Sequence, residues 1–161
     1  DVALYGLLIA LAFVLSYVES LIPISLGVPG VKLGLANLAV IAALYTVGAG
    51  GAAFISLVRI VLMGFTFGTP SMFLYSLAGG ILSLLVMAFL KRFKVFGMVG
   101  ISVAGGAAHN IGQIAVAAAV VEQAALFAYL PVLLAAGTIA GSLIGLLGGM
   151  VVQRIKRAVS R

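Results

Sequence analysis

The chain has 161 residues, of which 65% are hydrophobic and only 7% charged, whereas soluble globular domains carry about a quarter charged residues. A chain this short leaves much of its area facing solvent, so its apolar surface cannot be hidden from water and the solvent must be lipid. The net charge of +6, from nine Lys and Arg against three acids, would suggest nucleic acid in a soluble protein, but composition and the grouping of the cations exclude that partner.

A crossing helix needs about 20 apolar residues, and clusters of Gly, Pro or charge mark its ends. The first span runs from about Ala3 to Tyr17 or Glu19 and is too long for the apolar region of a signal peptide. It ends in LIPISLGVPG, where Pro23, Gly27, Pro29 and Gly30 break a helix. The second span is expected from Lys32 through Asn37 to about Val47. A GAGG turn at residues 48–51 then leads to the third, about Ala52 to Phe65. After the FGTP break at residues 67–70, the fourth runs from about Ser71 to Leu90 and closes on KRFK. The fifth follows from Met98 to Val121, and the sixth from Leu130 to Val152. The expectation is an all-α bundle of about six transmembrane helices, with residues 1–161 forming a single transmembrane domain.

The cations gather at Lys91-Arg92-Lys94 and at Arg154-Lys156-Arg157-Arg161. Six spans put both clusters and both termini on one side, the cytoplasmic one under the positive-inside rule. Small residues recur at four-residue intervals in Gly137, Gly141 and Gly145, a pattern that lets helix backbones approach closely in lipid. The first span carries a second such stripe, Gly6 with Ala10 and Ala12 with Ser16. That stripe suits either packing inside the bundle or the docking of a membrane partner.

An ionisable group inside a spanning helix costs about 2.5–3.5 kcal/mol on insertion scales, so each one needs a reason. Arg59, His109, Asn110 and Gln113 are the deepest, with Asn37 shallower and Glu19 and Lys32 at the outer rim. Counting about 1.5 Å per residue from the span ends puts Asn37 roughly 8 Å, Arg59 roughly 10 Å, Gln113 about 12 Å and His109 about 18 Å below the outer boundary. His109 and Gln113 are four apart and share a helix face. Arg59 and Lys32 suit a phosphate or carboxylate, Asn37, His109, Asn110 and Gln113 can orient the rest of a ligand, and Tyr75 with nearby aromatics can stack on a flat ring. The residues 21–31 form a candidate lid. Each feature also has a structural reading: an Arg59–Glu19 ion pair, a neutral core His109, amides as interhelical glue, a snorkelling Lys32 and an interfacial aromatic belt.

Catalysis has little to work with. No aspartate-rich motif for magnesium and diphosphate is present, and one His without any Cys excludes dense metal-ligand spacing, so no metal or cofactor is expected. Without a phosphate-binding G-x-x-x-x-G-K-[ST] loop, energy for transport must come from a gradient or a partner.

The blocks SYVESLIP, VPGVKLGLANL, SLVRIVLMG, SLAGGILSLLVMAFLKR and GGAAHNIGQ together resemble the bacterial Gx transporter family, often labelled heptaprenyl diphosphate synthase component I. That family is similar to the substrate-binding S components of energy-coupling-factor (ECF) vitamin transporters. The resemblance implies six helices, an outward-facing pocket for a vitamin-like anion, a flavin such as FMN or riboflavin as cargo, and a cytoplasmic-membrane location. It also implies an energy-coupling membrane partner docking on small residues of the first helix. The synthase label implies the alternative, a non-transporting subunit that serves prenyl diphosphate synthesis or a membrane redox complex.

Overall fold

The computed structural model describes residues 2–22 and 32–159. Helix α1 spans Val2–Leu21, α2 Asn37–Thr46, α3 Gly48–Thr66, α4 Pro70–Leu90, α5 Met98–Val121 and α6 Leu130–Val159, with a 3-10 turn at Ala124–Tyr129 leading into α6. The fold is an all-α membrane bundle, and all of these helices except α2 are long and apolar enough to cross a bilayer. The expected lid lies largely at residues 23–31, outside the described residues.

Several ends follow from local chemistry. The Thr69 side chain accepts the Met72 amide and Pro70 takes the first helical position, so the FGTP break starts α4 as a capping hydroxyl followed by proline should. Glu122, in the left-handed region at φ 56°, ends α5. The GAGG stretch is not a turn. It forms the first turn of α3, and the reversal is confined to Val47 and to Gly48 at φ +84°, a conformation that favours glycine. Gly51 is then free to pack where a Cβ would stand only 2.6 Å from the Tyr5 hydroxyl.

The second span differs most from its expectation. Helix α2 begins at Asn37, not Lys32, because Gly34 sits at φ +87°, outside any right-handed helix. Its ten residues cover only about 15 Å of a hydrocarbon core of about 30 Å. Asn37 and Ala39 to Leu44 are buried, and α2 touches α1, α3, α4, α5 and α6. The other helices run in order around it, α1 beside α3, α3 beside α4, α4 beside α5 and α5 beside α6. At its far end, Lys91 just beyond α4 donates from Nζ to the Leu44 carbonyl at 2.5 Å and lies over the Tyr45 ring. A cation is favourable at a helix C-terminus. Burial holds this ammonium below the usual lysine range, and the charge of Lys156 adds to the effect. The two basic clusters therefore meet at one end of the bundle, and α6 reaches beyond the expected Val152 to present its cations on a helical extension.

The glycine stripe packs α6 onto α5. A Cβ on Gly141 would stand 2.8 Å from the Val103 Cα, and one on Gly145 2.6 Å from the Val99 Cα, while Gly149 has only the Met98 sulfur at 3.8 Å. Along α1, Ala12 and Ser16 are buried inside the bundle whereas Gly6 and Ala10 are exposed. Half of that stripe is thus used internally.

Gly141→Ala should lower the thermal unfolding midpoint in detergent, because backbone cannot yield to the added methyl and overpacking costs about 1–3 kcal/mol. Gly149→Ala should leave it unchanged or raise it, since alanine favours a helix by about 1 kcal/mol.

Candidate ligand site in the bundle core

The break before α2 creates a problem that the polar residues solve. Backbone N–H and C=O groups at membrane depth find no water, so irregular chain survives there only when paired within the protein. Glu19 of α1 accepts the Gly34 amide at 2.6 Å and the Leu35 amide at 3.4 Å through Oε1. Gln113 of α5 accepts the Lys32 amide at 2.8 Å through Oε1, while its Nε2 donates to the Lys32 carbonyl at 3.3 Å. Two side chains expected to meet a ligand are therefore committed to the lead-in to α2. The carboxylate also sits at the positive end of that helix, where an anion is favoured.

This geometry places the segment deeper than a straight helix would. Gly34 packs against the His109 ring, whose Cδ2 would be 3.2 Å from an added Cβ, and His109 is the twelfth of 24 residues in α5. Asn37 donates to Ser83 at 3.4 Å, and Ser83 lies past the middle of α4, toward the basic end. Asn37 is accordingly in the half nearer the basic clusters, not roughly 8 Å below the opposite rim as helix counting suggested. The reason is the break: residues 32–34 descend without winding, and a turn at 35–36 leads into α2.

Arg59, fully enclosed, donates from Nη1 to the Ser16 hydroxyl at 3.2 Å. The charges of Arg59 and Lys32 both act on Glu19, but among the described residues no Arg59–Glu19 hydrogen bond forms, and Nε and Nη2 of Arg59 have no partner. His109 pairs through Nε2 with Gln113 Nε2. The Gln113 amide nitrogen is the donor there, since Oε1 already takes the Lys32 amide, so His109 Nε2 is the acceptor. The ring is then neutral with its proton on Nδ1, and the Gly79 backbone lies beside it. Glycines on α4 permit these approaches: Gly79 abuts His109 and Gln113, and a Cβ on Gly80 would lie 3.8 Å from Arg59 Nη2.

The structure thus gathers Glu19, the Lys32 backbone, Asn37, Arg59, His109 and Gln113 around the start of α2. Asn110 is turned elsewhere. One residue along α5 from His109, it faces α6, where its Nδ2 donates to the Leu133 carbonyl at 2.6 Å and its Oδ1 is unpartnered. Tyr75 lies one turn from Gly79 in a second core cluster with Ile114, Ala117 and Leu133. Of the other aromatics, Tyr17 and Phe67 pack together with ring centres 4.8 Å apart, and Phe65 points outward. Sequence reasoning missed Ser16 and Ser83 as partners and Gly34 as the break. Ser16 was visible only as a small residue on the first-span stripe.

The family model described as heptaprenyl diphosphate synthase component I matches residues 8–151, which include every residue of this cluster. No curated protein and no solved structure gives a match to the chain.

Glu19→Ala and Gln113→Ala should each destabilise the protein. A buried amide left without an acceptor costs about 1–3 kcal/mol, and each variant strands at least one. Glu19→Gln, which keeps an acceptor oxygen, should retain most of the thermal stability measured in detergent; equal losses for Glu19→Gln and Glu19→Ala would contradict the capping role.

Proposed function

Since the chain belongs to the heptaprenyl diphosphate synthase component I family, we propose that it is a non-catalytic membrane protein that binds a small, anionic, vitamin-like molecule in its core and helps carry it inward. The observation that carries this reading is that, among the described residues, Nε and Nη2 of the fully buried Arg59 have no partner. Buried polar groups in native proteins are almost always paired, and the exceptions call for a missing partner such as a ligand or water. Arg59 is a residue at which the sequence itself suggested binding.

The short helix α2, which begins inside the bundle, supports the same reading. Transporters commonly place substrates near the membrane midplane, beside half-helix ends. In this proposal, ligand enters from the end opposite the basic clusters, and those clusters face the cytoplasm under the positive-inside rule. A flavin is the first cargo to test, with a phosphate or other acid toward Arg59. An energy-coupling partner of the ECF type would meet the exposed Gly6 and Ala10 side of α1. The three acids of the whole chain offer no basis for magnesium-diphosphate chemistry, in keeping with a non-catalytic role.

The family description favours one second reading, a non-transporting subunit that anchors a prenyl diphosphate synthase at the membrane. Its docking surface would be the basic end, where Lys91 and Lys156 come close enough to interact.

Titration of the purified protein with FMN and riboflavin, followed by flavin fluorescence, tests the transport reading. Saturable binding that falls at least tenfold in Arg59→Ala and His109→Ala is expected. Binding unchanged in both variants would remove the site assignment. Co-purification of a synthase subunit, lost on neutralising Lys91 and Lys156, would support the second reading instead.

A further inference from the structure

We infer that the Nε–Nη2 edge of Arg59 is the seat of one carboxylate or phosphate group of the ligand. The inference rests on the binding reading and adds the chemical class and the contact edge.

The edge follows from which guanidinium atoms are already used. Nη1 is held by Ser16 of α1 at 3.2 Å, whereas Nε and Nη2 are buried and unpartnered among the described residues. These two atoms are adjacent and donate in parallel, the geometry with which Arg takes both oxygens of a carboxylate or phosphate. Glu19 does not fill the fork: its Oε1 holds the Gly34 and Leu35 amides, and no hydrogen bond joins it to Arg59 among the described residues. The backbone amides at the start of α2 are likewise spoken for: Asn37 donates to the Gly34 carbonyl, Leu38 to Leu35 and Ala39 to Ala36. An incoming anion therefore has the guanidinium edge of Arg59 to bind.

A structural role for Arg59 predicts the opposite response to its removal. If the guanidinium mainly holds helices together, deleting it must lower stability. If it is kept for a ligand, the ligand-free protein carries it as a burden, as binding residues often are.

The test combines mass spectrometry of small molecules released from purified protein with thermal unfolding of the protein after ligand removal, for wild type, Arg59→Lys, Arg59→Met and Ser16→Ala. The expected result is a co-purifying molecule bearing a carboxylate or phosphate. It should be retained by Ser16→Ala and reduced at least tenfold in Arg59→Lys, which keeps the charge but not the fork, and in Arg59→Met. Ligand-free Arg59→Met should unfold at or above the wild-type temperature. A molecule bearing a carboxylate or phosphate that is retained equally by wild type and both Arg59 variants would overturn this inference while leaving the binding reading intact. No molecule enriched over an unrelated membrane protein purified in the same way would overturn both. A ligand-free Arg59→Met that unfolds several degrees below wild type would show a structural arginine and overturn the assignment of its free edge.

Discussion

The hydrogen bonds that close the backbone ahead of α2 are the constraint on which the rest of this bundle depends. Lipid supplies no donors or acceptors, so a helix that begins in mid-membrane must bring its own. Glu19 from α1 and Gln113 from α5 do this at one end, and Lys91 beyond α4 does it at the other. Three elements far apart in sequence are thereby tied to one short helix. The long helices then close around α2, with the glycines of α6 allowing near backbone contact with α5.

That arrangement also explains why the polar core is unevenly satisfied. Gln113 spends its amide on Lys32 and His109, and Glu19 spends one carboxylate oxygen on two amides. Arg59 is left with the Ser16 hydroxyl. The simplest structural account of a buried Arg and a buried Glu, a mutual ion pair, is not formed among the described residues; the carboxylate faces the backbone ahead of α2 instead. Under the proposed function, the open edge of Arg59 is kept for the ligand.

Much of this architecture was legible in the sequence. Thr69-Pro70, Lys91 and Glu122 mark the ends of α4 and α5 in plain chemistry, and the spacing of Gly137, Gly141 and Gly145 announces a close helix pair. The break at Gly34 was not legible. VKLGLANL is apolar apart from Lys32 and Asn37 and contains no proline, glycine is tolerated within membrane helices, and the positive φ is fixed by contacts with Glu19 and His109 that are remote in sequence. The same remoteness hid the depth of Asn37, which was counted along a helix that does not exist over residues 32–36. The GAGG stretch misled in the reverse sense, since Gly51 serves packing against Tyr5 and only Gly48 makes the turn. The separation of Asn110 from His109 could have been read from spacing, because consecutive helical residues lie about 100° apart and face different neighbours.

An experimental structure of the protein as purified, at a resolution that defines the Glu19 and Arg59 side chains, tests this account most directly. The account predicts the Glu19 carboxylate on the Gly34 and Leu35 amides, with non-protein density against the Nε–Nη2 edge of Arg59. A direct Arg59–Glu19 ion pair with no such density would contradict it.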